Sequence, residues 1–411
     1  MKTRGTVRLA TRGSTLARRQ AGNVAEALEG RRHEVDLVTV ETTGDQLREE
    51  LLHRLGTTGA FVRDLDERVL DGDVDAAVHS MKDVPTEVPE SLVTAAVPER
   101  ASPADVLVTP EGSTLEALPE GAVVGTSSLR RRAQLLATRP DLEVEPLRGN
   151  VDTRIEKLLA PALQAERDER GGDESGDADG DGKPAAGGYK PTYDDNGGGA
   201  DGEDGADGDD ETAGESLEDW LAGLAEIERR ALEREVETAY DAIVLAEAGL
   251  ERSGLADQVA CQRLPPTDFV PAPGQGALAV TAVDGETAET IRTAIDHPRS
   301  RVETTVERIL LAELGGGCIA PVGIYAVLQG EYVHASVQAL SRDGEEAVTA
   351  SRDLPVETYP QAAREFAAHL ADRGARELID AASRDLEAGD GPSAGDDSTD
   401  ADGDPEGSPD K

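Results

Sequence analysis

A chain of 411 residues exceeds what one small core organises and predicts two or three domains. Its formal net charge of −43, from 84 acidic against 41 basic side chains, repels phosphate backbones and anionic lipid surfaces, so neither nucleic acid nor membrane is an expected partner. Aromatic residues make up only 2%, so the cores must be built from Val, Leu, Ile and Ala in packed layers.

Arginine outnumbers lysine 35 to 6, and with the acid excess this reads as adaptation to a salty cytoplasm, that is, a halophilic protein. No apolar run is long enough to span a bilayer, and Met1-Lys2-Thr3-Arg4-Gly5 leads into a short alternating segment instead of a signal-peptide core. A soluble cytoplasmic protein is expected. The two cysteines, Cys261 and Cys318, lie in unrelated contexts with no metal spacing, and Cys261 reads as structural.

In chain order, strands alternate with helices: Val7–Thr11, a helix over Thr15–Leu28, Val35–Val40, a helix over Phe61–Leu70, then Asp75–Val78. A second set follows near Pro103, with strands Val106–Val108 and Ala122–Val124, a helix over Leu129–Ala137, strand Glu143–Leu147 and a helix over Val151–Leu159. From about Glu166 to Ser216 the chain becomes Gly, Asp and Ala, too poor in apolar residues to offset its chain entropy, and reads as a disordered acidic insertion. Ser216 then caps a helix carrying Leu217, Trp220, Leu221, Leu224, Ile227 and Ala231, with the lone Trp a core residue, and Ala242–Leu245 is a buried strand. Proline-rich joints at Pro98–Pro103 and Pro265–Pro273 are two crossings that would make a hinge. A third unit over His297–Asp380 has a helix near Val302–Leu314, strands near Val322–Leu328 and Val333–Leu340, and a closing helix over Pro360–Ala382, before an acidic tail.

Basic and small polar residues collect at strand-to-helix junctions in three runs: Thr11-Arg12-Gly13-Ser14, Gly125-Thr126-Ser127-Ser128-Leu129-Arg130-Arg131-Arg132 and Leu147-Arg148-Gly149-Asn150-Val151-Asp152-Thr153-Arg154. A helix N-terminus with hydroxyls and guanidinium groups binds anions, and three of them point to a polyanionic ligand. For any one run, ordinary capping and surface ion pairing is an equally good account. The run His79-Ser80-Met81-Lys82-Asp83 sits at the C-terminal end of a strand, where open parallel sheets bind ligands, and sets a cation beside a base. A solvated turn ended by Pro85 explains the same pattern. Gly315-Gly316-Gly317-Cys318 places a thiol where the backbone can approach a ligand closely, and either a covalent link or a buried free thiol fits.

Taken in order, these runs resemble the porphobilinogen deaminase (hydroxymethylbilane synthase) family. The matching pieces are Ala10-Thr11-Arg12 with Ser14 and Gln20, Thr43-Gly44-Asp45, Ala77 through Pro85, Gly125 through Arg131, Leu147 through Asn150, Tyr240-Asp241-Ala242-Ile243, Ala248-Gly249-Leu250, Pro273 through Ala277, and Gly316-Gly317-Cys318. The resemblance implies an α/β fold with two periplasmic-binding-protein-like domains, mainly parallel in their sheets, and a smaller α+β C-terminal domain. Mapped onto this chain, domain 1 is 1–99 with about 274–295, domain 2 is 104–270 interrupted at about 166–216, the C-terminal cofactor-bearing domain is 297–383, and 384–411 is a disordered tail.

It also implies a monomeric transferase of porphyrin and haem biosynthesis that joins four porphobilinogens head to tail with loss of ammonia, then releases hydroxymethylbilane by hydrolysis. The implied cofactor is a dipyrromethane held by a thioether to Cys318, with no metal. By resemblance Asp83 is the catalytic carboxylate. Arg12, Ser14, Lys82, Thr126, Ser127, Ser128, Arg130, Arg131, Arg148, Gly149, Asn150 and Arg154 bind substrate and cofactor carboxylates, and Gln20 and Phe61 are further substrate contacts. Two features depart from the family pattern: Thr58 stands where a lid lysine is usual, leaving Arg54 or Arg63 as substitutes, and Ile319 follows the cysteine where a polar residue is common. The competing reading is a non-catalytic two-lobed receptor for a small polycarboxylate, which leaves Cys318 and the Lys82-Asp83 pair without a role.

Overall fold

The computed structural model describes residues 5–40, 60–173, 216–317 and 320–387. Thr43-Gly44-Asp45, Arg54, Thr58, Cys318, Ile319, most of the expected insertion and most of the tail lie outside the described residues. The chain divides into two compact units, Met1–Arg154 with Tyr240–Lys411, and Ile155–Ala239.

The first unit holds three sheets. Strand β1 (Thr6–Arg12) leads into helix α1 (Thr15–Glu29), which begins where Ser14 Oγ accepts the Ala17 N–H at 3.2 Å and which buries Ala21, Val24, Ala25 and Leu28 at helical spacing. Strand β2 (Glu34–Val40), helix α2 (Ala60–Leu70) and strand β3 (Ala76–Ser80) follow, then β4 (Leu92–Ala96). In the second sheet β5 (Asp105–Val108) precedes β6 (Val123–Gly125), helix α3 (Leu129–Thr138), β7 (Glu143–Glu145) and helix α4 (Val151–Asp173). After the second unit come β8 (Ala242–Ala246), the short helix α7 (Glu247–Ser253), β9 (Cys261–Leu264) and β10 (Leu278–Val283).

The two five-stranded sheets share one plan. The first runs β2-β1-β3-β10-β4 and the second β7-β6-β8-β5-β9. In each, three strands joined through helices are parallel, while the last two pairings are antiparallel. Four strands of each sheet thus run one way and one, β10 or β5, runs against them, so the sheets are mainly parallel, as the sequence reading expects, with one antiparallel strand each. The antiparallel strands are the two that follow the proline-rich joints, β5 after Pro98–Pro103 and β10 after Pro265–Pro273. Each enters its sheet directly from a crossing: β4 leads over to β5, and β9 leads back to β10.

Helix α8 (Glu286–Ile295) closes the first sheet, and α9 (Pro298–Glu313) opens the third layer, with Pro298 in its first turn and the His297 side chain as its cap. Strands β11 (Val322–Gln329), β12 (Tyr332–Leu340) and β13 (Ala347–Pro355) form an antiparallel meander packed against α9, α10 (Tyr359–Ala371) and α11 (Ala375–Glu387) around Val306, Leu310, Ile324, Val337, Phe366 and Leu370. The single closing helix expected over Pro360–Ala382 is broken near Gly374, whose φ of 95° no ordinary helical residue adopts.

In the second unit, α4 continues past Leu159 and through Pro161 to Asp173, where the sequence expects it to stop. Good helix formers and a Glu166–Arg170 pair at 2.8 Å carry it on, so the onset of the insertion lies later than Glu166. The helix expected after Ser216 is two helices, α5 (Leu217–Gly223) and α6 (Glu226–Leu232), because Gly223 ends the first and Glu228 reaches back to the Ala225 N–H at 2.7 Å to start the second. Trp220 is buried there as expected, with the Arg170 guanidinium 5.4 Å from its ring centre.

The two crossings pass each other at Gly276, where a Cβ would lie 2.5 Å from the Ala101 carbonyl oxygen. Arg100 on the first crossing donates through Nε to the Gln275 carbonyl on the second at 2.8 Å, and through its two terminal nitrogens to Glu307 of α9 at 2.8 and 3.1 Å. Glu307 is wholly buried and also accepts the Gly274 and Ala326 backbone N–H groups at 2.7 and 2.9 Å. Burial pushes its carboxyl up, and Arg100 with those two amides pulls it back. Replacing one partner of such a pair strands a buried charge, so Glu307→Gln should lower the unfolding free energy by about 3 kcal/mol or more. Denaturant titration in high salt measures this, and a change below about 1 kcal/mol, the range of an exposed pair, would show that the Arg100–Glu307 contact carries no structural weight.

Candidate active site

Strand β3 ends in a single 3-10 turn, Met81–Asp83, held by the Met81 N–H on the Ala277 carbonyl at 3.0 Å and the Val84 N–H on the Met81 carbonyl at 3.2 Å. Met81 is buried in an apolar cluster with Val84, Val97, Ala277 and Ala279, which leaves Lys82 half-buried and Asp83 exposed. Burial pushes the Lys82 ammonium pKa down, Arg131 and Arg154 push it further, and Asp83 and Asp105 oppose them. Lys82 follows β3 of the first sheet and Arg131 lies on α3 beside the second, so charges carried by the two sheets are within electrostatic reach of each other.

On the second sheet, Asp105 opens β5 and is fully buried. Arg130 donates to its Oδ2 at 2.8 Å, and Arg131 donates to its Oδ1 through Nε at 3.1 Å and a terminal nitrogen at 2.7 Å. Arg130 also donates to Gln134 and to the Val270 carbonyl, and Arg131 to the Val244 carbonyl. Where the sequence reading expects a ligand carboxylate for Arg130 and Arg131, the structure supplies Asp105. The two guanidinium groups are drawn inward because β5 carries the only acid on that buried strand, and 3% of Arg130 and 6% of Arg131 remain accessible. Arg131 still contributes positive potential toward Lys82 and Arg154.

Arg154, on the first turns of α4, donates through Nε to the Gly149 carbonyl at 2.8 Å. Burial and the neighbouring Arg131 push its pKa down, so its charged state gains from an incoming anion. Gly149 has φ 115°, and a Cβ there would lie 2.4 Å from the Thr153 methyl, so only glycine lets the Arg148–Asn150 turn close onto α4. The Asn150 carbonyl accepts the Arg154 N–H at 3.0 Å, and Arg148 is half-buried with polar contacts of its own.

The remaining expected residues are placed as follows. Arg12 ends β1, is half-buried and has polar contacts, Ser14 caps α1, and Gln20 lies half-buried on α1. Ser128 caps α3, the Thr126 hydroxyl accepts the Ser128 N–H at 3.2 Å, and Ser127 donates to the Leu147 carbonyl at 2.6 Å, so these hydroxyls have local partners. Phe61 lies in the first turn of α2, its side chain outside the described residues, and Arg63 is exposed on the same helix. Cys261 is exposed on edge strand β9, with burial and Glu247 pushing its thiol pKa up.

Two features escape the sequence reading. Asp105 is one; its signal is an acid opening the apolar run Ala104-Asp105-Val106-Leu107-Val108. Gln275 is the other, buried and donating to Asp105 Oδ1 at 2.8 Å and to the Pro103 carbonyl at 2.6 Å.

Burial alone would push the Asp105 carboxyl up, but Arg130 and Arg131 hold it down at about 2. A carboxylate lowered on folding stabilises fully above its unfolded pKa and loses that contribution as pH falls through the folded value. The stability gap between the native protein and Asp105→Asn should therefore be largest above about pH 4 and close by about 2–3 kcal/mol toward pH 2. Acid-dependent denaturant titrations of both proteins check this, and a gap that does not change with pH would contradict it.

The description "Porphobilinogen deaminase, dipyromethane cofactor binding domain" matches residues 7–166 and 225–291, and "Porphobilinogen deaminase, C-terminal domain" matches 302–371. A probable porphobilinogen deaminase of Halobacterium salinarum is 53% identical over 391 residues, covering 91% of this chain and 97% of its own. One from Methanococcoides burtonii is 37% identical, covering 90% and 95%. Among solved structures, the apo ectoine-binding protein of the TeaABC TRAP transporter aligns over 93% of this chain and 99% of its own at 10% identity, with a TM-score of 0.32, too low to bear on the fold. With both family descriptions matched along most of its length and a half-identical relative covering nine-tenths of it, the chain belongs to the porphobilinogen deaminase family.

Proposed function

We propose that Asp83, Lys82, Arg131 and Arg154 form the working centre of this hydroxymethylbilane synthase, and that Cys318 carries its dipyrromethane. The reaction is that of the family: four porphobilinogens condense head to tail with loss of ammonia, and hydrolysis frees hydroxymethylbilane for porphyrin biosynthesis. One observation carries the assignment. In a chain of net charge −43, three cations, Lys82, Arg131 and Arg154, lie within electrostatic reach of one another, and the exposed carboxylate Asp83 adjoins the first of them.

The donor set fits the cofactor. A dipyrromethane built from two porphobilinogens bears two acetates and two propionates; Lys82 and Arg154, with Arg12 and Arg148, present ammonium and guanidinium groups for them, and the buried Arg131 adds positive potential behind them. When bound, the cofactor supplies the nucleophilic pyrrole α-carbon from which the chain grows. Lys82 and Arg154 orient carboxylates, and in doing so recover the stability that burial and mutual repulsion withhold from their charged forms. Asp83 accepts pyrrole N–H hydrogen bonds, stabilises the positive charge that develops on the substrate as ammonia leaves, and takes up the ring proton afterwards. Its place at the end of a rigid strand fixes it against the reacting rings.

Porphobilinogen is the substrate, and we assign the enzyme as a cytoplasmic monomer, because a surface of this charge repels a second copy of itself. Among the described residues no helix is long and apolar enough to cross a membrane.

Asp83→Asn should fold and keep its cofactor but lose turnover by about a hundredfold or more, the scale of removing a principal electrostatic and acid/base group. Ammonia release measures this, and near-normal turnover would take Asp83 out of the mechanism. For the attachment point, intact mass should show one dipyrromethane on the native protein and none on Cys318→Ser. A modified Cys318→Ser protein would place the cofactor elsewhere.

A further inference from the structure

We propose that Asp66, His79 and Thr281 are positioning residues that set the Lys82–Asp83 turn through a buried hydrogen-bond triad. His79 Nε2 lies 2.9 Å from Asp66 Oδ1 and 3.1 Å from Thr281 Oγ1, and the Thr281 hydroxyl donates to Asp66 Oδ1 at 2.7 Å. All three side chains are buried. They come from three elements, α2, β3 and β10, so the triad ties the helix above the first sheet to two of its central strands.

The hydrogen count is determined. An ionised Asp66 only accepts, and Thr281 gives its one hydrogen to Asp66, so Nε2 must carry the hydrogen that His79 shares with both. The triad sits beside an apolar cluster of Ala10, Leu65, Val69, Val74, Ala77 and Leu92. Polar groups there gain little net stability over apolar side chains of the same shape. Stability therefore does not account for them.

Their place in the chain does. His79 precedes Lys82 by three residues and Asp83 by four, and between them the backbone is pinned at Ser80, which pairs with Leu278, and at Met81, which bonds to Ala277. With the imidazole fixed against Asp66, the strand end cannot twist, and the turn beyond it inherits that orientation. An error of about 1 Å at a reacting group can cost about a hundredfold in rate, which is the scale on which such a brace acts.

This inference rests on Asp83 being the working carboxylate. Its test uses the full-length, cofactor-loaded enzyme, with loading checked by intact mass and folding by thermal midpoint. His79→Ala should lower kcat by about tenfold or more with the larger effect on kcat than on KM for porphobilinogen, since the turn moves while the cations outside it, Arg131 and Arg154, stay. His79→Gln, whose amide can donate toward Asp66, should recover most of that loss. Thr281→Val, close in shape and lacking only the hydroxyl, should lower kcat by about threefold or more and decides the matter if His79→Ala does not fold. Equal losses in His79→Ala and His79→Gln, an effect on KM alone, or native kcat in Thr281→Val would each overturn the proposal. If Asp83→Asn is inactive while the triad variants turn over normally, only this inference fails; if Asp83→Asn turns over normally, the reading beneath it fails first.

Discussion

A single buried chain of charges and amides holds the three sheets to one another. It runs from Glu307 on α9 to Arg100 on the first crossing, to the Gln275 carbonyl on the second, and through the Gln275 side chain to Asp105, Arg130 and Arg131 on the second sheet. Gln134 extends it from Arg130 to Gln338 of β12 in the third sheet. Its charged members Glu307, Asp105, Arg130 and Arg131 are buried, so each of these charges depends on its neighbour for solvation. An apolar interface of the same area would hold the layers together but would not fix their register. Directional hydrogen bonds at both ends of each side chain do that.

The consequence for the site follows from which residues the chain occupies. Asp105 faces two guanidinium groups and the Gln275 amide, so its negative charge is internally committed. Arg131 is fixed by three donors, yet its field reaches Lys82 and Arg154. The protein thereby places an immobile positive charge behind two adjustable ones. A ligand carboxylate entering there meets charge already oriented, and little reorganisation remains at binding.

Much of this was legible in the sequence, because β1, α1, β2, β3, α3 and β11 carry clear periodicity or caps, and the runs around Lys82, Ser128 and Gly149 fall where strands meet helices. Three kinds of feature were not. Strands β5 and β10 enter their sheets from the crossings and pair with strands distant in sequence, so no local pattern announces that each runs against its neighbours. The division of labour among the arginines was hidden as well, since Arg130 and Arg154 look alike as residues and differ only in that a buried acid faces one of them. His79 could be placed at a strand end, but its partners Asp66 and Thr281 lie 13 and 202 residues away, and only folding brings them within hydrogen-bond reach.

The preference for arginine over lysine has a physical reason in the structure. Arg8 donates to the Gly72 and Asp73 carbonyls, Arg139 to those of Leu115 and Leu118, Arg301 to those of Thr94 and Ala95, and Arg308 to those of Val84 and Pro85. Arg19 on α1 reaches the carbonyls of Arg252 and Ser253 at the end of α7, joining a helix of the first sheet to one of the second. A guanidinium fork can bridge two carbonyls in fixed geometry, which a single ammonium does less well. In molar salt the screening length falls to about 3 Å, and exposed ion pairs lose most of their attraction. A hydrogen bond from a cation to a backbone carbonyl acts at contact with a neutral acceptor, so added salt weakens it less. The acidic surface then answers for solubility, while arginine-to-carbonyl bridges, five of which span separate segments here, hold loops and helices under conditions where paired surface charges would not.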